Sequence, residues 1–341
     1  VTRPIRVLIA DDSAFARKVL REVLSSSPGI EVVGSARDGL EALERIAELS
    51  PDVLTLDLLM PNLDGLGVLA GLPKEGAPRV IVVSISGADS ELGAAALAAG
   101  AIDIVHKPTA LATQLLYGLG KELVEKVRIA ALARQPHSPP PSERLGSGLI
   151  ASRTHDIVVV GTSTGGPQAL TRLMMGLPGD FPVPIVIALH IPPGYTEALA
   201  ARLNDACAIE VREAAEGLEL RPGLALVAPG GSHVRMLRSR GVTRIQLDNQ
   251  LGTAAHAPSV DYLFECAAEQ FGATALGVVL TGMGDDGTRG AAAIYHAGGL
   301  ILTEAEVSCV VYGMPRAAKE AGYSTAEAPI EAMAAAIVRH L

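Results

Sequence analysis

Asp156-Ile-Val-Val-Val-Gly-Thr-Ser-Thr-Gly-Gly166 decides how the rest of the chain reads. Four apolar residues, mostly β-branched, run straight into a Gly-rich turn that holds three hydroxyls, Thr162, Ser163 and Thr164. Pro167 to Met175 follows with helical spacing, and it opens on a proline, a favoured first-turn residue. The grammar is strand, tight turn, helix N-terminus. Such a corner lifts one side chain out of the sheet, while backbone N–H groups and the positive end of the helix dipole point into the same space. Gly161-Thr-Ser-Thr-Gly165 also fits G-x-S-x-G, the pattern that exposes a nucleophilic serine. A phosphate cradle is the competing reading, but the Lys-Ser/Thr ending of a P-loop and the G-x-G-x-x-G spacing are both missing.

Working outward, 341 residues make two domains the natural expectation. Apolar residues are 49% and charged ones 19%, which places the chain among folded globular proteins. A net charge of −9 argues against nucleic acid or an anionic membrane as partner. Cys207, Cys266 and Cys309 are widely spaced and form no metal or disulfide pattern, so free thiols in a reducing compartment are expected. The apolar run Val7 to Ala10 is cut off by Asp11-Asp12, so no signal peptide is read, and no run reaches the roughly 18 apolar residues of a membrane span. The expected location is the cytoplasm, with no direct membrane insertion.

Upstream of the deciding stretch, short apolar runs alternate with helical spacing: Ile5 to Ala10, Glu31 to Gly34, Val53 to Leu56, Val80 to Ser84 and Ile102 to Val105. That pattern predicts a doubly wound parallel α/β sheet. Such sheets gather their chemistry beyond the strand carboxyl ends. There stand Asp11-Asp12, Asp57, Ser84 and Lys107-Pro108. Three converging carboxylates repel one another unless a cation joins them, and a hard, oxygen-seeking Mg²⁺ suits them. Taken singly, Asp12 also reads as a helix N-cap, Ser84 as a turn residue and Lys107 as a solvated charge. Leu111 to Leu132 reads as the last helix running on, and Gln135 to Gly148, with four prolines, as a connector.

Downstream, Val183 to Leu189 predicts a buried strand that ends in His190, and Tyr195 to Asp205 a helix. Leu224 to Val227, Val234 to Leu237 and Thr243 to Leu247 read as short antiparallel strands. Val260 to Phe271 reads as a helix, Ala275 to Leu280 as a strand and Asp286 to Ala297 as a helix. A serine hydroxyl needs a base, and the base needs an orienting group. Of the five histidines after Ser163, His190 alone follows a strand directly, and His256 is next in line. The acid comes from Asp285-Asp286, which also reads as a helix cap. The order Ser, His, Asp is not that of the α/β-hydrolases, whose acid precedes the histidine.

These residues carry two resemblances. Residues 1 to 120 resemble a response-regulator receiver domain through Asp11-Asp12-Ser13, Asp57, Met60-Pro-Asn-Leu-Asp-Gly65, Ser84 and Lys107-Pro108. The implied roles are phosphoacceptor for Asp57, Mg²⁺ binding for Asp11, Asp12, Asp57 and the Leu59 carbonyl, switch hydroxyl for Ser84 and phosphate contact for Lys107. His106 before the lysine departs from the pattern, as does the missing fifth-strand aromatic.

Residues 153 to 341 resemble the catalytic domain of the CheB chemotaxis methylesterases. The matching blocks are Gly161 to Gly166, His190-Ile-Pro-Pro-Gly194, Ala228-Pro-Gly230, Pro258-Ser-Val-Asp261, Leu280 to Gly287, and Ser308-Cys309 through Gly313-Met-Pro-Arg316. The resemblance implies Ser163 as nucleophile, His190 as base and Asp286 as orienting acid, with the Met283 N–H at the oxyanion and Thr164 supporting the histidine. Thr162, and His256-Ala257 before Pro258, depart from the usual residues.

The expected architecture is a flavodoxin-like receiver over 1–122, a linker over 123–152 and a Rossmann-like three-layer domain with a small antiparallel addition over 153–341. The expected activity is phosphorylation-activated demethylation of glutamate γ-methyl esters, with deamidation of glutamines, on methyl-accepting chemoreceptors. A chemotaxis histidine kinase is the implied phosphodonor, and hydrolysis itself needs no cofactor. A response regulator with a vestigial, binding-only second domain is the rival reading.

Overall fold

The computed structural model describes residues 3–84, 90–107, 113–133, 155–249 and 256–341, with backbone alone for 113–119. Pro108 and the proline-rich stretch expected to be the connector lie outside the described residues. The chain divides into two compact units, Val1–Ala133 and Arg134–Leu341.

The first unit alternates β1 (Ile5–Ala10), α1 (Ala14–Ser25), β2 (Ile30–Ala36), α2 (Gly39–Leu49), β3 (Val53–Leu56), α3 (Gly65–Gly71), β4 (Arg79–Ser84), α4 (Ser90–Ala98), β5 (Asp103–His106) and α5 (Thr113–Leu132). All neighbouring strands are parallel, in the order β2-β1-β3-β4-β5. The Val and Ile runs are near-continuous because a parallel sheet is covered on both faces; Val7, Leu8, Ile9, Leu54, Val82 and Ile104 are fully buried. Leu123, Val127 and Ala130 of α5 belong to this core. Ser13, not Asp12, caps α1: its hydroxyl accepts the Ala16 N–H, which leaves Asp12 exposed at the strand edge.

The second unit runs β6 (Ile157–Thr162), α6 (Gly166–Met175), β7 (Ile185–Leu189), α7 (Thr196–Ala206), β8 (Glu210–Glu213), β9 (Leu224–Val227), β10 (His233–Ser239), β11 (Val242–Asp248), α8 (Val260–Phe271), β12 (Ala275–Val279), α9 (Thr288–His296), β13 (Leu300–Glu304), α10 (Met314–Glu320), β14 (Ala326–Ala328) and α11 (Ile330–His340). Seven strands form a parallel sheet in the order β14-β13-β12-β6-β7-β9-β8, and β10-β11 form a separate antiparallel ribbon. The expectation that Leu224 to Val227 is antiparallel is therefore corrected. This strand pairs in parallel with β7 on one side and β8 on the other. All four of its side chains are buried, as a strand covered on both faces requires.

The ribbon packs its apolar face (Val234, Met236, Ile245) into the same core as Phe264 and Cys266 of α8. Cys207, Cys266 and Cys309 form no disulfide among the described residues. Among the described residues no helix is long and apolar enough to cross a membrane.

Candidate active site and receiver site

In the first unit, strand ends set the site. Asp11 follows β1 and Asp57 follows β3, and the Asp57 N–H donates to the Ala10 carbonyl at 2.9 Å, which fixes the two side by side. Lys107, after β5, spans both carboxylates: its Nζ is 2.7 Å from Asp11 Oδ2 and 2.8 Å from Asp57 Oδ2. Burial works against the lysine's charge, but the two carboxylates outweigh it and raise its pKa. Burial raises Asp11 as well; the ammonium, shared with Asp57, offsets this only in part.

Asp11, Asp12 and Asp57 bring oxygens within 4.8 Å of one another against that single ammonium. An all-oxygen donor set with excess negative charge suits a hard divalent cation. The Leu59 carbonyl accepts no hydrogen bond among the described residues, and the Leu59 N–H leans on Asp57 Oδ1 at 3.4 Å. Ser84 is buried at the end of β4, and its carbonyl accepts the Lys107 N–H at 2.7 Å.

In the second unit the deciding stretch forms β6, a turn and α6, as the sequence predicts. The turn closes through the Gly166 N–H on the Ser163 carbonyl at 2.7 Å. Gly165 takes φ +79°, a left-handed conformation that few other residues adopt, and it caps α6 without a side chain. Gly282 must also be glycine, because a Cβ there would lie 2.9 Å from the Ser163 Cβ. Thr162 points into the sheet; its hydroxyl donates to the Thr281 carbonyl at 2.7 Å. Thr162 is fully buried, with its hydroxyl committed to that carbonyl.

β6 and β7 pair with Thr162 opposite Leu189, and the His190 N–H donates to the Thr162 carbonyl at 3.1 Å. Ser163 and His190 are thus the next neighbours off two adjoining strands, whose backbones run about 4.8 Å apart. His190 Nε2 meets Asp286 Oδ2 at 2.7 Å, which leaves Nδ1 as the imidazole atom able to take a proton. Among the described residues the Ser163 hydroxyl itself makes no hydrogen bond, to His190 or otherwise.

Asp286 is held by more than the histidine. Its Oδ2 also accepts the Val260 N–H at 2.8 Å, and its Oδ1 accepts the Ser259 hydroxyl at 3.0 Å and the Asp261 N–H at 2.9 Å. Burial alone would raise its pKa, but the His190 contact and these backbone donors outweigh it and hold the carboxyl at about 2. The competing view, that the aspartate caps the helix after it, fails on geometry. α9 begins after Gly287 with no side-chain cap of its own. Asp286 instead serves the N-terminus of α8, while Asp261 of α8 accepts the Gly287 and Gly290 N–H groups at 2.8 Å each. Ser259 caps α8 through the Tyr262 N–H, Asp286 adds acceptors for the Val260 and Asp261 N–H groups, and Asp261 in turn serves the start of α9. Sequence reading quoted Pro258 to Asp261 without giving it this role; its Ser-x-Asp opening of a helix was the available signal.

His256, the next candidate base, lies against the first. Its ring stacks on His190, centroids 4.3 Å apart. His233 is buried, stacked on Tyr262, and its Nδ1 accepts the Ser259 N–H at 3.1 Å. Met283 is partly exposed in the loop after β12, and its N–H takes no partner among the described residues. Thr164 is buried in the turn, and its carbonyl accepts the Thr281 hydroxyl at 3.1 Å.

Comparison with known proteins follows the same division. Residues 158–337 match the CheB methylesterase family and residues 7–116 the response regulator receiver domain. The chain is 62% identical, over 100% of its length and 99% of the relative's, to protein-glutamate methylesterase/protein-glutamine glutaminase 5 of Myxococcus xanthus. It is 42% identical to the corresponding protein of Symbiobacterium thermophilum, over 99% of this chain and 98% of that one. The crystal structure of the Thermotoga maritima CheB methylesterase catalytic domain aligns with a TM-score of 0.54 at 37% identity, over 55% of this chain and 99% of that one. With a Ser, His, Asp set at one sheet edge, a receiver ahead of it and relatives that match along the whole length, the chain belongs to the CheB methylesterase family.

Proposed function

We propose that this chain is a phosphorylation-activated serine hydrolase that demethylates glutamate γ-methyl esters, and deamidates glutamines, on the cytoplasmic helices of methyl-accepting chemoreceptors. The observation that carries the reading is the 2.7 Å contact between His190 and Asp286, with the imidazole on the strand end beside that of Ser163. Rotation of the Ser163 side chain brings its hydroxyl to His190 Nδ1. Oγ attacks the ester carbonyl carbon, and its proton passes to Nδ1. Asp286, held ionised, stabilises the imidazolium without taking the proton. The Met283 N–H donates to the oxyanion, and losing one such donor costs about 3–4 kcal/mol of barrier. Thr164 steadies the histidine. Collapse of the tetrahedral intermediate expels methanol, which takes the proton from His190; water then repeats the sequence and frees the glutamate carboxylate.

In the receiver, Asp57 is the phosphoacceptor and a chemotaxis histidine kinase the phosphodonor. Asp11, Asp12, Asp57 and the Leu59 carbonyl would hold Mg²⁺, which when bound supplies positive charge to the phosphoryl oxygens. Lys107 leaves its ion pair with Asp57 to contact the phosphoryl group, and Ser84 provides the switch hydroxyl.

The test is methanol release from methylated receptor. Ser163→Ala should lose release by at least about 1000-fold while Asp57 phosphorylation persists. Undiminished release would refute the assignment. A binding-only second domain would leave Ser163 unlabelled by a fluorophosphonate probe.

A further inference from the structure

Thr281 supports the turn that carries Ser163. Its carbonyl accepts the Ser163 N–H at 3.1 Å and the Thr162 hydroxyl at 2.7 Å. Its own hydroxyl donates to the Thr164 carbonyl at 3.1 Å and accepts the Val311 N–H at 2.9 Å. One residue thus grips the strand end, the residue after the nucleophile, and the segment leading to α10. Its remaining polar group, the N–H, donates to Glu304 Oε2 at 2.8 Å.

Glu304 closes β13 and is fully buried. Its Oε1 accepts the Ser308 hydroxyl at 2.8 Å, and Ser308 Oγ accepts the N–H of Ile330, the first residue of α11, at 2.9 Å. No lysine or arginine pairs with this carboxyl among the described residues. The nearby charges are Glu331 of α11 and Arg172 of α6, which pair with each other at 3.4 Å. The Cys309 thiol donates to the Glu304 main-chain carbonyl at 3.8 Å. Burial pushes the Glu304 carboxyl up to about 7. A carboxylate in such a place is costly unless it is fully hydrogen-bonded. What it provides here is a pair of fixed acceptors, one aimed at Thr281 and the other at α11.

We infer that Glu304 is a positioning residue for the hydrolysis: through the Thr281 N–H it fixes the turn that presents Ser163. The inference rests on the proposed methylesterase reading, and it adds to Ser163, His190 and Asp286 a group that touches no substrate. An amide oxygen can take over the acceptor role toward Thr281, whereas an aliphatic side chain of similar size cannot.

Steady-state methanol release from methylated receptor, with the full chain and a phosphodonor, is compared for wild type, Glu304→Gln and Glu304→Leu. Misplacement of a nucleophile by a remote change lowers kcat by up to about 100-fold, so Glu304→Leu should approach that loss with KM unchanged. Glu304→Gln should retain most of the wild-type kcat. Equal kcat in the two variants, or a loss in Glu304→Leu that falls wholly on KM, overturns the inference. Should Glu304→Leu be insoluble, Glu304→Met fits the same space and carries the same expectation. Wild-type protein that releases no methanol refutes the methylesterase reading instead. In that event the rate at which a fluorophosphonate labels Ser163 decides the inference alone: slower in Glu304→Leu than in Glu304→Gln upholds it, and equal rates overturn it.

Discussion

Both units gather their polar residues at the carboxyl edge of a parallel sheet, yet they neutralise charge there in opposite ways. In the receiver, Asp11 and Asp57 share one lysine at 2.7 and 2.8 Å, and Asp12 stands exposed beside them. In the hydrolase unit, Asp286 meets no lysine or arginine among the described residues and is satisfied by two backbone N–H groups, a hydroxyl and a histidine. A mobile ammonium can let go when a phosphoryl group or a cation arrives. Donors built into a helix N-terminus cannot, so they suit a charge that must stay put through every turnover. The same sheet edge therefore makes a site that changes state and one that holds still.

The largest effect that sharpens this contrast is Asp286→Asn. It removes the charge and sets an amide NH₂ against donors, and it should lower kcat for methanol release by about 10⁴-fold. A loss below about tenfold would break the comparison. Lys107→Met comes next: Asp11 and Asp57 are left without their cation, and phosphoryl transfer to Asp57 from a small-molecule donor should slow by about 100-fold or more. Basal hydrolysis by the second unit should be unchanged.

Stability against pH separates two carboxyls of the second unit. Asp286 is lowered from 3.8 to about 2, so its contribution is present above pH 4 and is lost as pH falls towards 2. Glu304 is raised from 4.5 to about 7, so the fold is favoured below pH 4.5 and loses stability as pH rises towards 7. Glu304→Gln removes that loss, and its melting temperature relative to wild type should climb between pH 5 and 8. A constant offset would contradict the sign.

Asp261→Asn, which keeps an acceptor for Gly287 and Gly290 but no charge, should cost about 1 kcal/mol in unfolding experiments. His256→Ala is the smallest change: losing the stack on His190 should cost about 0.5 kcal/mol in unfolding experiments.

Much of this was legible in the sequence because strand ends announce themselves. An apolar run that stops at Asp57, Ser163 or His190 places that side chain on a sheet edge, whatever the rest of the fold does. β9 was misread because four residues carry no signal of direction; Leu224 to Val227 is apolar throughout, which is what a two-sided parallel strand looks like and a half-exposed hairpin does not. The hydrogen bonds of Asp286 to α8 could not be read at all, since they join residues about 26 positions apart through main-chain N–H groups that every sequence has. Glu304 was invisible for the complementary reason. Within Leu302-Thr-Glu-Ala-Glu306 it looks like a surface charge at a strand terminus, and only the tertiary fold, with β14 alongside and Thr281 and Ser308 on its carboxyl, buries it.

The exchange of aspartates between the starts of α8 and α9 has a practical corollary for heat inactivation. The acid beside His190 is anchored to the first turn of α8, and that turn is seated in the core through Val260, which is fully buried. Warming should therefore take activity and the circular dichroism signal away together, because that turn cannot open without opening the core; activity lost well before any melting would contradict this.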